Sequence, residues 1–178
     1  MLSYNAHMGD FTNMAQREWV GRAILLLDLD ALQQEVGDEW IVLLRMHYYI
    51  GRMLDLSPWE GFAYNVSDWP DINELYVVSD ALCTDYSSVF FDYANTERPI
   101  YFFWPDFDHY KEALRGFYVD PMTMPGPKCT SNEEFVEAFA QNDTWFADFG
   151  EEYAAFRQRF CPLDDGHAAE RVIARVFG

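Results

Sequence analysis

The stretch SDALCTDYSSVFFDYANTERPIYFF, residues 79–103, decides the fold. ALCTD (Ala81–Asp85) is a short apolar run closed by a carboxylate and reads as a strand. SSVFFDYANT (Ser87–Thr96) follows within two residues and reads as a helix, and PIYFFW (Pro99–Trp104) as the next strand. Strand, tight hydroxyl-rich turn, helix and strand in that order build a parallel sheet covered by helices.

Working outward, the same alternation continues. Asp71 is placed to cap a helix that turns Ile72, Leu75 and Val78 toward the core. Before it lie a short strand around residues 62–66 and a compact strand, IVLLR (Ile41–Arg45). LDLDALQQEVGDEW, from residue 27, spaces Leu29, Leu32 and Val36 as one helix face and stops at Gly37. Residues 1–26 carry weak periodicity and stay unassigned, so the folded unit is placed at 27–178. Downstream, helices are expected over 132–140 and 151–160. A last helix after Asp164–Asp165–Gly166 sets Ala168, Ala169, Val172, Ile173 and Val176 on one stripe. The fold class is α/β.

Composition bounds the partners. The chain has 178 residues, enough for one domain, and half of them are apolar, ample for a core. Twelve Lys and Arg against 30 Asp and Glu give a net charge of −18, which repels nucleic acid and anionic lipid. Cys83, Cys129 and Cys161 are odd in number and form no CxxC pair, so neither a disulfide framework nor a zinc site is expected. No apolar run approaches the ~20 residues of a membrane span, and residues 1–19 do not read as a secretion signal. Patterns such as HExxH, GxSxG and GxxxxGK[ST] are absent.

The acidity leaves a problem for any phosphorylated ligand, and the turn at Ser87 offers a way round it. A helix N-terminus at a strand carboxyl end presents unpaired N–H groups, and Ser87 and Ser88 add hydroxyls there. Asp92 lies one helical turn beyond Ser88, in reach of ribose hydroxyls. Ser and Asp are also ordinary helix caps, and that alternative stands at this stage. Arg45 and His47 follow the strand Ile41–Leu44 at the same sheet edge, where an imidazole acts as general acid or electrostatic stabiliser of a leaving phosphate. The competing reading pairs Arg45 with a surface carboxylate and packs His47 under Tyr48 and Tyr49. Arg98, Lys111, Arg115 and Lys128 form the least acidic neighbourhood. Arg115 either grips a phosphate bidentately or pairs with Glu112 or Asp120. His7 and His109 read as solvent-facing, and His167 sits in the first turn of the last helix.

The segments at 43–50 (LLRMHYYI), 71–103, 106–118 (DFDHYKEALRGFY), 125–127 (PGP) and 160–173 (FCPLDDGHAAERVI) resemble, in order and spacing, the CDP-glycerol glycerophosphotransferase family. The resemblance runs from about Leu27 to the C-terminus. It implies a Rossmann-like parallel sheet flanked by helices, the C-terminal, nucleotide-binding half of a GT-B glycosyltransferase fold. It further implies that CDP-glycerol donates glycerol phosphate to a teichoic acid chain, releasing CMP. On the family pattern His47 is catalytic, and Arg45, Asp85, Ser87, Ser88, Asp92 and Arg115 hold the donor. No cofactor or metal is implied, and no membrane span. The expected location is cytoplasmic, at the inner face of the plasma membrane when part of the complete enzyme. The family's acceptor-side half, with its second histidine, has no counterpart in these residues, and its strand ahead of the LDLD segment is not visible. A CDP-ribitol donor, or a non-catalytic nucleotide-binding remnant of a split enzyme, are the other readings.

Overall fold

A strand at the start of the chain occupies the middle of the sheet. In the computed structural model, which describes residues 2–6 (backbone), 27–46, 51, 54–107 and 119–178, β1 (Leu2–Ala6) pairs in parallel with β2 (Val42–Met46) on one side and β4 (Ala81–Thr84) on the other. With β3 (Ala63–Asn65), β5 (Ile100–Phe103) and β6 (Lys128–Cys129) the order is β3-β2-β1-β4-β5-β6, all parallel. This is the doubly wound order expected of a Rossmann-like sheet. Residues 1–26, which the sequence leaves open between tail, loop and a partial element, contain this strand. The cause is compositional: LSYNA alternates apolar and polar residues, whereas a central parallel strand, buried on both faces, usually reads as a continuous apolar run. β4 and β5 read that way, and every residue of both is buried.

Helices cover both faces. α1 (Leu29–Val36) is capped by Asp28, whose side chain accepts the Ala31 amide, and it ends at Gly37 as its pattern predicts. α2 (Ile72–Val78) is capped by Asp71. Its buried residues are Leu75 and Tyr76, while Val78 is 54% exposed, against the expected Ile72–Leu75–Val78 stripe. The rotation follows from Tyr76, whose ring meets Tyr93 edge-on at 5.6 Å and draws that side of the short helix inward. α3 (Val89–Tyr93) gives way to a 3₁₀ turn over Ala94–Thr96 and stops at Glu97, which is left-handed at φ 57°.

α2 and α3 share one face of the sheet, where Phe90 packs on Phe102 at 5.2 Å. α4 (Asn132–Ala140) lies on the other face, with Phe135 and Phe139 against Tyr101. Asn132 Oδ1 there accepts the Asp28 amide at 2.7 Å, tying α4 to the start of α1. α5 (Trp145–Phe160) starts six residues before the expected 151; Gly150 sits in open space inside the helix and interrupts nothing. It is anchored under β5 through Trp145 Nε1–H to the Ile100 carbonyl (3.3 Å) and Tyr153 O–H to the Arg98 carbonyl (2.9 Å). Each fully buried aromatic of this layer contributes about 1.5–3 kcal/mol relative to exposure. α6 (Ala168–Phe177) completes the chain and has no buried residue.

Candidate functional site

The strand order reverses between β1 and β4, so the crevice beyond their carboxyl ends is the place where an open α/β sheet receives a ligand. The turn from β4 into α3 borders it. Asp85 is buried, at 7% exposure, and its Oδ1 accepts the Ser87 amide at 2.9 Å. The Asp85 carbonyl accepts Trp104 Nε1–H at 3.1 Å, which fastens the turn to the end of β5. Tyr86 donates its hydroxyl to Asp106 Oδ1 (2.8 Å) and stacks on Trp104 and Phe107. The turn is therefore braced before any ligand arrives.

Ser88 holds the N-cap position of α3, yet its side chain makes no capping hydrogen bond and is exposed. An ordinary capping serine receives the amide of the second or third helical residue. Ser88 does not, so its hydroxyl remains available beside first-turn amides that a helix cannot satisfy internally. α3 has only five residues, shorter than the Ser87–Thr96 helix the sequence suggests, so hydroxyls and local amides matter more here than a helix dipole.

Asp92, one turn along, is exposed, and its carboxylate makes no hydrogen bond among the described residues. Arg45 stands at the carboxyl end of β2. It is level with Asn5 of β1, which is in turn level with Thr84 of β4, so three polar residues share one register row at the crevice edge. Its Nη2 reaches the Trp69 carbonyl at 3.4 Å, its Nε is buried with no partner, and it forms no ion pair among the described residues. Among the described residues no surface carboxylate pairs with Arg45. Tyr76 connects the two: burial pushes its phenol up to about 12, Asp92 adds to the rise and Arg45 opposes it. Arg45 and Asp92 thus act on the same buried hydroxyl from different elements.

His47 and Arg115 lie outside the described residues, as do His7, His109 and Lys111. The flanks of His47 are nonetheless pinned. Ser67 Oγ accepts the Met46 amide at 3.1 Å, Asn65 Nδ2 donates to the Gly51 carbonyl at 2.6 Å, and Asn65 Oδ1 accepts the Ser67 amide at 3.0 Å. A Cβ on Gly51 would stand 2.4 Å from Ser67 Cβ, so glycine permits this close approach.

Two further cations of the described residues, Arg98 and Lys128, are engaged elsewhere. Arg98 Nη1 donates to the Val77 carbonyl at 2.8 Å and to those of Tyr76 and Ser79, finishing the C-terminus of α2. It precedes β5, at the sheet edge opposite the Ser87 turn. Lys128 donates to the Met124 carbonyl. His167 is exposed, with Nδ1 3.2 Å from Glu170 Oε2. The three cysteines are free thiols, and burial is the first cause of their raised pKa. A groove of about 420 Å³ between α1 and α4 is lined by Asp28, Glu35, Glu133 and Glu137. Its carboxylates oppose a phosphate ligand, and it lies across the sheet from α3.

Sequence reasoning missed Tyr76, Asn5, Asn65 and Ser67. Asn65 and Ser67 had a signal, a polar pair directly after a short strand. Tyr76 was hidden by the choice of Val78 as the inward residue.

The model of the family described as CDP-Glycerol:Poly(glycerophosphate) glycerophosphotransferase matches residues 16–178. The chain belongs to this family. The match begins earlier than Leu27, where the resemblance was placed. A teichoic acid poly(glycerol phosphate) polymerase of Bacillus subtilis (strain 168) is 49% identical over 152 residues, which are 85% of this chain and 20% of that one. A teichoic acid poly(ribitol-phosphate) polymerase of Bacillus spizizenii (strain ATCC 23059 / NRRL B-14472 / W23) is 34% identical over 153 residues, 85% of this chain and 24% of the relative. A solved structure of the wall teichoic acid polymerase TagF superposes with a TM-score of 0.85 at 41% identity, over 96% of this chain and 41% of that one. The glycerophosphotransferase fold here is accordingly one Rossmann-like half of a GT-B architecture, as the sequence implies. The chain spans well under half the length of these relatives.

Proposed function

We propose that this chain is the C-terminal, donor-binding half of a CDP-glycerol glycerophosphotransferase. The observation that carries the reading is Ser88: a serine at the switch-point edge, in capping position, whose hydroxyl does not cap. Family membership supplies the chemistry, and the 49% identity to a glycerol-phosphate polymerase against 34% to a ribitol-phosphate one favours glycerol.

In this reading the donor pyrophosphate rests on the turn at Ser87–Ser88, oriented by Asp85, which shapes the turn by holding the Ser87 amide. Asp92 accepts hydrogen bonds from the ribose, and Arg45 and Arg115 balance phosphate charge. An acceptor hydroxyl of a teichoic acid chain attacks the β-phosphorus. The new P–O bond forms as the bond to CMP breaks, and the hydroxyl proton passes to a base outside this chain. His47, with Arg45, stabilises the charge that develops on the phosphates. The acceptor site belongs to the other half of the family's chain, so turnover by these 178 residues alone is expected to be weak or nil. The reaction is placed in the cytoplasm, at the inner face of the plasma membrane. Among the described residues no helix is long and apolar enough to cross a membrane.

The test is calorimetric titration of CDP-glycerol, CMP and CDP-ribitol into the purified chain. CDP-glycerol is expected to bind most tightly. No binding of any of the three overturns the donor-site reading, and preference for CDP-ribitol overturns the choice of donor. Substantial polymerisation by the chain without a partner contradicts the division of labour.

A further inference from the structure

Carboxylates border the turn between β4 and α3, and a site for an anionic donor has to account for each of them. Asp85 is buried and spends Oδ1 on the Ser87 amide at 2.9 Å. Asp92, on α3, faces the ribose in the donor-site reading. Asp106 has no such task. It stands three residues past the end of β5, within one tyrosine side chain of the turn, where its charge opposes that of a bound phosphate. In a chain of net charge −18 few cations are on hand to offset it.

Tyr86 is the residue that reaches this carboxylate. Its hydroxyl donates to Asp106 Oδ1 at 2.8 Å. The ring is fixed independently of that bond. It lies 16° from parallel to Trp104, with centroids 5.9 Å apart, and 28° from Phe107 at 6.5 Å, while Trp104 and Phe107 stack on each other at 5.3 Å. Trp104 is 3% exposed and ties the stack to the turn through its Nε1–H and the Asp85 carbonyl, at 3.1 Å. Ring stacking is enough to hold the Tyr86 side chain, and a phenylalanine would keep its place in the stack. What the hydroxyl adds is one donor aimed at one carboxylate. Because Tyr86 immediately precedes Ser87, that carboxylate is fixed relative to the phosphate turn.

We propose that Tyr86 is a positioning residue of the donor site, whose hydroxyl holds the Asp106 carboxylate at the rim of the aromatic stack and keeps its charge from the donor phosphates. The inference rests on reading the Ser87–Ser88 turn as that site. An O–H donated to an ionised carboxylate is a strong hydrogen bond, and without it Asp106 loses both its fixed direction and the O–H dipole that offsets its charge. The effect on binding then runs through charge alone. It weakens with salt and vanishes when residue 106 is neutral.

Calorimetric titration of CDP-glycerol into the parent chain, Y86F, D106N and Y86F/D106N, with a thermal melt of each, tests the proposal. Y86F is expected to melt like the parent and to bind about three- to tenfold more weakly at low salt. Its affinity relative to the parent is expected to return toward equality at about 1 M salt, where the screening length is about 3 Å. D106N is expected to bind at least as tightly as the parent, and Y86F/D106N to match D106N. Equal affinity of Y86F and the parent at low salt overturns the proposal. So does a Y86F loss that persists at high salt or in the D106N background, or a Y86F melt well below the parent's, since each makes the hydroxyl a brace or a direct ligand. Weaker binding by D106N than by the parent overturns it as well, because Asp106 would then serve the donor. These outcomes sink the role of Tyr86 while the donor site stands; a parent chain that binds no CDP-glycerol fails the donor-site reading itself, and the role of Tyr86 with it.

Discussion

Asp85 Oδ1 accepts the Ser87 amide at 2.9 Å, closing an Asx turn between the residue that follows β4 and the residue that precedes the N-cap of α3. A buried carboxylate beside a site for an anionic donor repels what the site should attract, unless its task is to shape the backbone. That assigns Asp85 to the turn rather than to the phosphates, and the assignment separates two substitutions. Asp85→Asn keeps an acceptor oxygen for Ser87 and is expected to bind CDP-glycerol at least as tightly as the parent chain. Asp85→Ala removes the acceptor, leaves the Ser87 amide without it, and is expected to cost about 1–3 kcal/mol of stability along with most donor affinity. Thermal melting with calorimetry checks both. Loss of binding in the Asn variant with an unchanged melting point would show that the charge itself is needed.

Two glycines make opposite predictions. Gly126 has φ +114°, and a Cβ there would stand 2.1 Å from the Ile100 carbonyl oxygen, so Gly126→Ala is expected to destabilise by about 2–4 kcal/mol. Gly150 lies inside α5 with nothing within 4 Å, so Gly150→Ala is expected to stabilise by about 0.5–1 kcal/mol. Denaturant melts of both variants decide; a neutral Gly126→Ala would mean that Gly126 does not lie this close to the Ile100 carbonyl.

How far the sequence reached is visible in these same elements. β4, the turn and β5 were legible because both strands are continuous apolar runs and the hydroxyls stand between them. β1 was not, since LSYNA has the alternation of a half-exposed strand although it sits mid-sheet. Arg45, Ser88 and Asp92 were legible as residue types near strand ends, but not the missing capping bond of Ser88 or the absence of an ion pair at Arg45 among the described residues, which are properties of packing. Arg98 shows the converse: chemically it suits a phosphate, and the fold spends it on the carbonyls that end α2.

Alkaline behaviour follows from the buried phenols. Tyr76 is held at about 12, chiefly by burial, and Tyr93, Tyr101 and Tyr153 are also held above the ordinary tyrosine value, with burial the first cause. For Tyr76 the unfolded chain loses its proton near pH 10 while the folded chain keeps it until about 12. The unfolded state therefore binds fewer protons across that window, and stability falls as pH rises through it. Absorbance titration at about 295 nm is expected to show these four tyrosines ionising with unfolding rather than before it. Tyr76 O–H has no hydrogen bond among the described residues, so Tyr76→Phe is expected to cost little at neutral pH and to shift alkaline unfolding upward. Reversible ionisation of all eleven tyrosines near pH 10 in a chain that stays folded would contradict the buried environments.

The donor site stands or falls on the uncapping serine. Because Ser88 makes no capping bond, Ser88→Ala is expected to leave the melting temperature within about 0.5 kcal/mol of the parent in stability terms. Loss of a hydroxyl that hydrogen-bonds a charged phosphate is expected to weaken binding by about 1.5–3 kcal/mol, or roughly 10- to 150-fold in Kd. The direct measurement is calorimetric titration of CDP-glycerol into the parent chain and Ser88→Ala side by side. The account predicts binding by the parent and a tenfold or greater loss in a variant that melts unchanged. Equal affinity in the two proteins would contradict it.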